Sequence, residues 1–590
     1  MITPRRSIHS AYGIGSMLAL MLLWIPAATA QTATPPERTI IRQGDAVVTG
    51  FAATRPPGPD LPPEVHPLDR TTIDPEGVTV RIFDLTELGG GPEGQLADVP
   101  VRHVIKAKDI GHVFGTAFDG DGSAAPPNIY FTATSVYGLQ LVAPGPDGKP
   151  ERVMTGRPGA EWMRGLFGDG TRGSPGSVWK VDGRTGAVTL LADIKTGDQE
   201  NSGAGLGAIA FDPRSRHLYV SDLETGLIWR VGLDGSLAGV FDHGTEGRGA
   251  AGLEIVAYDP ANRTDRTEET FNTELPDTWG FAPMERRVWG LAIENNRLYY
   301  AVADGPAVWS VGLNPDGSFA GDARLEIEVK ETPAGDQIAT ILFDGPGAMY
   351  LAQRGAQLGS YDYQTFMRPQ EAAALRYQWT ESERRWMPVP QEYAIGMPPD
   401  YHGAVGGLAL NYGYDRFGRI DYDRCRQTLW LTGEHLRAGS DVVRVSRGGP
   451  SHVAGLQGVY KSRTRPDNAP PFEAWFVDYD ATFADEDVFG HIGNVAIYAP
   501  CKASVTYAAD AVEIPVWVKG PNFVVEKRCE PIAFGGRVRC VIVVRNAGDG
   551  PGEGEISILD ETRVLFGPKK GALLPVAEAI PDGSEWVCAA

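Results

Sequence analysis

The stretch AFDPRSRHLYVSDLETGLIWRV at residues 210–231 constrains the fold more tightly than any other part of the chain. Around it, the runs GAIAF, HLYVSD, GLIWRV and SLAGVF are separated by short turns rich in Asp, Pro and Gly. Short aromatic and β-branched runs joined in this way form a four-stranded antiparallel meander. The same order recurs in WGLAIENNRLYYAVADGPAVWSVGLNPDG at 289–317, and in ATILFDGPGAMYLAQRG at 339–355 followed by AALRYQW. FGTAFDGDGSAAPPNIYFTA at 114–133 fits as well, completed across an insertion by GSVWKVDGRTGAVTLLADI at 176–194. GGLALNYGYD with QTLWLTGEH and DVVRVSRGG is a looser copy, and FEAWFVDYD through GNVAIYAP is a sixth. An irregular period of four strands per unit marks a β-propeller, because a single blade cannot cover both of its faces and a ring of blades can. The expected fold is therefore all-β, with five to seven blades possible and six expected. Trp179, Trp229, Trp309 and Tyr219 recur at equivalent places and are expected to pack between blades.

The flanks read differently. Residues 1–30 have the three parts of a signal peptide: Arg5 and Arg6, the apolar run MLALMLLWIPA, and ATA before Gln31. No later apolar run approaches the ~20 residues of a membrane helix. Export to the periplasm, cell surface or medium is the expectation, and removal of the two arginines moves the formal charge from −21 to −23. Such acidity disfavours nucleic acid and anionic lipid as partners. Residues 31–75 form a proline-rich arm, with six prolines between 56 and 67. The propeller is expected over 76–510, with VTVRIFDL at 78–85 closing the ring against the last blade.

The phrases AFDPRSRHLYVSD and GLIWRV resemble the six-bladed propellers of the gluconolactonase/senescence-marker and NHL-repeat type. The lactonase resemblance implies a divalent metal in the pore, for which Asp222, Asp304, Glu434 and Asn494 are the strand-end candidates. The Glu-Gly-Pro that opens the first blade in that family is absent, and GTAFDGDG stands in its place. Over 511–590, the pattern Cys540, Val543-Val544, Asn546, Gly548, Asp560 and Trp586-Val587-Cys588 resembles the conserved-repeat, Ig-like modules of bacterial surface proteins. A small C-terminal β-sandwich is implied, with a bridge from Cys540 to Cys588 across it and Cys529 as the competing partner. Cys425 and Cys501 are the candidate pair within the propeller. Sequence does not fix the connectivity.

No nucleophile elbow, zincin motif or P-loop occurs in the mature chain, and no catalytic residue is identified. Two acidic turn clusters, Asp119 with Asp121 and Asp485 with Asp487, are the candidate metal ligands, with calcium the cofactor they suit. Aspartates in turns equally serve as Asx hydrogen-bond acceptors. His402, His435, His452 and His491 fall in one third of the chain and are candidates to converge at a propeller mouth. The leading reading is an exported, non-catalytic propeller for binding, adhesion or envelope scaffolding. Its partner would be a protein or glycan at the propeller face, with self-association through an open edge of the C-terminal module. The alternative is a metal-dependent lactone or ester hydrolase, or a sugar dehydrogenase or lyase, on the same fold. The pore discriminates between them, since converging carboxylates favour an enzyme and an apolar lining favours binding.

Overall fold

The computed structural model describes residues 39–501, apart from short segments at 121–124, 146–147, 169–172, 330–331, 334, 346, 390–391, 397–400, 438–451 and 483–487. Beyond them it describes the backbone of three strands, Phe523–Pro531, Val538–Asn546 and Glu585–Ala589. The chain divides into two units, 1–502 and 503–590.

The larger unit is a β-propeller of six blades among the described residues, each built on four antiparallel strands, with a short fifth strand, Gln95–Leu96, added in parallel at the outer edge of blade V. Blade I consists of Val113–Phe118, Ile129–Ala133, Ser177–Val181 and Val188–Asp193. Blade II is the opening meander: Leu206–Asp212, His217–Asp222, Leu227–Gly232 and Leu237–Asp242. Blade III runs from Val288–Glu294 to Arg324–Glu328, and blade IV from Gln337–Phe343 to Arg385–Pro388. The first strand of each blade is innermost, and these inner strands contact one another in chain order around a closed ring.

Two expected blades are assembled differently. In blade V, Ala404–Asn411 and Thr428–Gly433 are followed by Gly455–Tyr460 and Trp475–Asp478. FEAWFVDYD thus supplies the outer strand of blade V rather than opening a sixth copy, and DVVRVSRGG lies outside the described residues. Blade VI joins the two ends of the unit: Ile492–Ile497 is innermost, followed by Ala46–Gly50, Val78–Phe83 and Val101–Lys106. The propeller therefore starts at residue 46 rather than 76. Ala46–Gly50 pairs with Ile492–Ile497 on one side and Val78–Phe83 on the other, and all five of its residues are buried. The proline-rich segment is an excursion within this blade, between its second and third strands.

Buried Ser and Thr hydroxyls link neighbouring blades around the channel. Thr132 Oγ1 accepts the N–H of Gly115 in its own blade and donates to the carbonyl of Gly207 in the next, at 3.1 and 2.6 Å. Ser221 does the same between Ala208 N–H and Trp289 O, at 2.9 and 2.7 Å. Thr432 repeats it between Gly407 N–H and Gly493 O, at 2.8 and 2.7 Å. In blade VI, Thr49 Oγ1 accepts the Asn494 N–H at 2.9 Å. Blades III and IV carry Ala301 and Ala352 at this place; in blade IV Thr340 of the inner strand supplies a hydroxyl, donating to Gly406 O at 2.7 Å. These bonds satisfy backbone groups where the inner strands bulge and lose their ladder partners.

Trp179, Trp309 and Tyr219 are buried, whereas Trp229 is half-buried on its blade. Trp179 packs in one cluster with Val47, Val80 and Ile82, bridging blades I and VI. Tyr219 donates to the Gly317 carbonyl of blade III at 2.5 Å and meets Phe319 edge-on.

Cys425 and Cys501 form a disulfide that ties blade V to the segment following the last inner strand. With a sequence separation of 76 residues, the chain-entropy model gives it about 4 kcal/mol. The Cys425→Ser, Cys501→Ser variant should lose stability on that scale in urea titrations. An unchanged midpoint would show that the bridge contributes nothing.

In the C-terminal unit the three strands form one antiparallel sheet with Val538–Asn546 central. Its register sets Cys540 opposite Cys529, and Cys588 opposite Ile542.

Candidate functional site: the central channel

The inner strands enclose a channel whose two ends differ. At the end where these strands begin, side chains fill it. Arg354, the last residue of Ala348–Arg354, is 2% exposed and donates to four backbone carbonyls. Nη1 reaches Val405 O and Ile492 O at 2.8 and 3.0 Å, and Nη2 reaches Gly490 O and Val136 O at 2.9 and 3.3 Å. Glu434 grips the same segment through its amides: Oε2 accepts Gly490 N–H at 2.8 Å, and Oε1 accepts His491 N–H at 2.9 Å and Ile492 N–H at 3.4 Å. Burial raises the Glu434 carboxyl above its ordinary value, against the lowering effect of these donors and of Arg354. Burial lowers the Arg354 guanidinium.

Aromatic rings complete the plug. Phe51 lies 5.0–5.1 Å, centroid to centroid, from His112, Phe366 and His491. His491 Nε2 donates to the Tyr363 carbonyl at 2.8 Å, which places a proton on that nitrogen. His112 Nε2 accepts the Ala52 N–H at 3.4 Å. Burial, with His491 nearby, pushes the His112 ring from 6.5 down to about 3. Because the folded value lies below the unfolded one, His112 contributes stability that is full above pH 6.5 and is lost as pH falls towards about 3. His112→Phe should flatten the fall in unfolding free energy across that window, apart from a constant offset for the lost acceptor. An acid limb of unchanged slope would assign the pH dependence elsewhere.

Beside the plug, His435, His452 and His491 line a cavity of about 60 Å³ together with Glu434 and Asp480. The His435 ring stacks on Phe489 at 4.6 Å. Three of the four grouped histidines thus share one cavity. His402 lies elsewhere, 3.1 Å from Glu392 and from Arg465.

At the other end the channel is open. A cavity of about 270 Å³ is lined by all six inner strands, including Thr116, Ile209, Leu291, Thr340, Leu408 and Asn494, with Arg426 and Ala499 at its rim. Asn494 is 7% exposed; its Oδ1 accepts the Val495 N–H at 2.8 Å and lies 3.3 Å from Thr340 Oγ1, whose proton is directed at Gly406 O.

The strand-end candidates do not converge. Asp222 is buried and accepts from Asn201, Thr225 and the Glu224 N–H at 3.0, 2.6 and 3.0 Å. Asp304 is exposed, Glu434 belongs to the plug, and only Asn494 lines the open channel. Asp119 accepts from Asn128 N, Asn128 Nδ2 and Tyr130 Oη at 2.8, 2.7 and 2.9 Å. Asp121, Asp485 and Asp487 lie outside the described residues. Among the described residues, no group of three His, Cys, Asp or Glu is arranged to hold a metal ion. Sequence reasoning missed Arg354, His112 and Arg426. Arg426 alone had a nearby signal, the adjacent Cys425 of DRCRQT.

No family model matches the chain, and no curated protein matches it. Among solved structures it is similar to a chain of a nidogen/laminin complex, at 10% identity over 77% of this chain and 98% of that one, with a TM-score of 0.34. It is also similar to the calcium-binding protein regucalcin of Agrobacterium tumefaciens, at 12% identity over 60% and 92%, TM-score 0.26. A third similarity is to the PQQ-bound aldose sugar dehydrogenase of Streptomyces coelicolor, at 15% identity over 53% and 92%, TM-score 0.21.

Proposed function

We propose that this chain is an exported binding and scaffolding protein whose propeller works without metal chemistry in its pore. The observation that carries this reading is the use made of the strand-end carboxylates. Asp222, Glu434 and Asp119 are each held by two or three donors of the chain itself, and the open channel is lined mainly by aliphatic residues, Thr116, Thr340 and Asn494. A lactonase-type pore needs carboxylates directed at a shared ion. Export rests on the sequence of residues 1–30, and the Cys425–Cys501 disulfide suits an oxidising compartment. No helix among the described residues is long and apolar enough to cross a membrane. The partner is a protein or glycan at a propeller face, with the C-terminal module, read as Ig-like, available for self-association.

A hydrolytic reading draws on the cavity where His435, His452, His491, Glu434 and Asp480 meet. Metal analysis of the purified mature protein, paired with turnover of a panel of lactones and esters, separates the two. Metal-free protein without turnover is expected. Stoichiometric transition metal with turnover that is lost in His452→Ala would replace the binding reading. The same analysis tests calcium at the loops of Asp119 and Asp121 and of Asp485 and Asp487.

A further inference from the structure

We propose that the open end of the channel is a binding site for a small carboxylate that also carries a carbonyl acceptor, a short keto acid being the simplest case. This rests on the binding reading above and names the ligand class for one site within it. Two unpartnered donors mark the site. Asn494 is more than nine-tenths buried, and its Oδ1 is fixed as the acceptor side because the Val495 N–H can only donate. Its Nδ2 faces the cavity and meets no acceptor among the described residues. Arg426, at the rim, makes no hydrogen bond or ion pair among the described residues, and Glu294 is the acidic group whose charge it feels.

The geometry sets the order of groups on the ligand. Asn494 sits on the inner strand Ile492–Ile497 of blade VI, and Arg426 lies just before Thr428–Gly433 of blade V, so the two donors reach the cavity from neighbouring blades. Between the two donors the walls are apolar, with Ile341, Leu408 and Ile497 among them. A guanidinium at a mouth, an aliphatic wall and one amide donor at depth select a carboxylate, a short hydrocarbon body and a neutral oxygen, in that order. The plug of Arg354, Phe114 and Tyr137 leaves this end as the way in. The Cys425–Cys501 disulfide holds the rim, because Arg426 follows Cys425 directly and Ala499 lies two residues before Cys501.

Levulinate is a suitable probe, and pentanoate is its analogue without the ketone. Binding to the full-length, disulfide-intact protein can be followed by calorimetry and ligand-observed NMR. Levulinate should bind about tenfold more tightly than pentanoate, and Arg426→Ala should weaken both by about tenfold or more. Asn494→Ala should erase the preference between the two acids, a ratio that general loosening of the fold would not move selectively. Arg426 is exposed and makes no hydrogen bond or ion pair among the described residues, so its variant tests the site without threatening folding. Failure of levulinate to bind, equal binding of both acids, or unchanged binding by Arg426→Ala overturns the site. Such a result in a metal-free protein without turnover leaves the broader binding reading standing, whereas metal-dependent turnover removes that reading.

Discussion

Arg354→Met is expected to destabilise the propeller by about 4 kcal/mol, enough to consume much of the stability of an ordinary domain. The guanidinium ties four carbonyls from three separate stretches, around Val136, Val405 and residues 490–492. Methionine fills much of the volume and leaves those carbonyls buried without donors, each at a cost of about 1 kcal/mol or more. It also leaves the Glu434 carboxylate without the positive charge that offsets its burial. Arg354→Lys should fare little better, since a point ammonium cannot reproduce a planar fork that serves four acceptors. Glu434→Gln alone should also destabilise, but adding it to Arg354→Met should cost less than the sum, because the second change removes the stranded charge. Urea titrations with unchanged slope and shifted midpoints would report this directly. A variant within 0.5 kcal/mol of wild type would mean that the plug is ornamental and that blade closure alone holds this end of the ring.

Neither the plug nor the open mouth has a local signature, and the reason is physical. Blades II and III were legible because each is a meander of neighbouring runs with polar turns written in Asp, Gly and Pro, and blades I and IV because their first two strands repeat the same phrase ahead of an insertion. AMYLAQR reads as a strand whether or not its final arginine reaches across the ring. Its acceptors lie 51–218 residues away in sequence. In blade V three of the connections are long, and FEAWFVDYD carries no turn phrase linking it to the strands before it, so it was joined to the wrong partner. Blade VI has no local meander at all. Its inner strand comes from one end of the unit and its other three from the opposite end, so AVVTG, only five residues long, passed as part of the proline-rich arm. The histidine grouping was legible as proximity in sequence, which brought three imidazoles to one cavity and misplaced His402. Asn494 was singled out as a metal ligand, and it lies in the channel wall without the carboxylates that role requires.

Thr432→Val should cost about 3 kcal/mol while Thr432→Ser costs about 1 kcal/mol or less. Threonine and valine have nearly the same shape, so the packing of this fully buried side chain is kept and only the hydroxyl is lost. That hydroxyl serves two backbone groups on adjacent blades, the Gly407 N–H and the Gly493 carbonyl. Each sits at a bulge of its own inner strand, outside the paired register, so both would be left unsatisfied. Serine keeps both bonds and removes only a methyl group. The space around the hydroxyl is equally specific: a Cβ added at Gly407 would fall 2.4 Å from Thr432 Oγ1, so Gly407→Ala should be destabilising for the converse reason. In blade IV, Ala352 is matched by Thr340, which reaches Gly406 O from the inner strand. Thr132→Val, in blade I, removes an equivalent pair of bonds with no shared partner. The two valine variants should therefore add within about 0.5 kcal/mol. Equal midpoints for Thr432→Val and Thr432→Ser would show that the hydroxyl belt does not hold the blades together. In that event the ring would depend on apolar packing alone, as between Trp179 and the strands of blade VI.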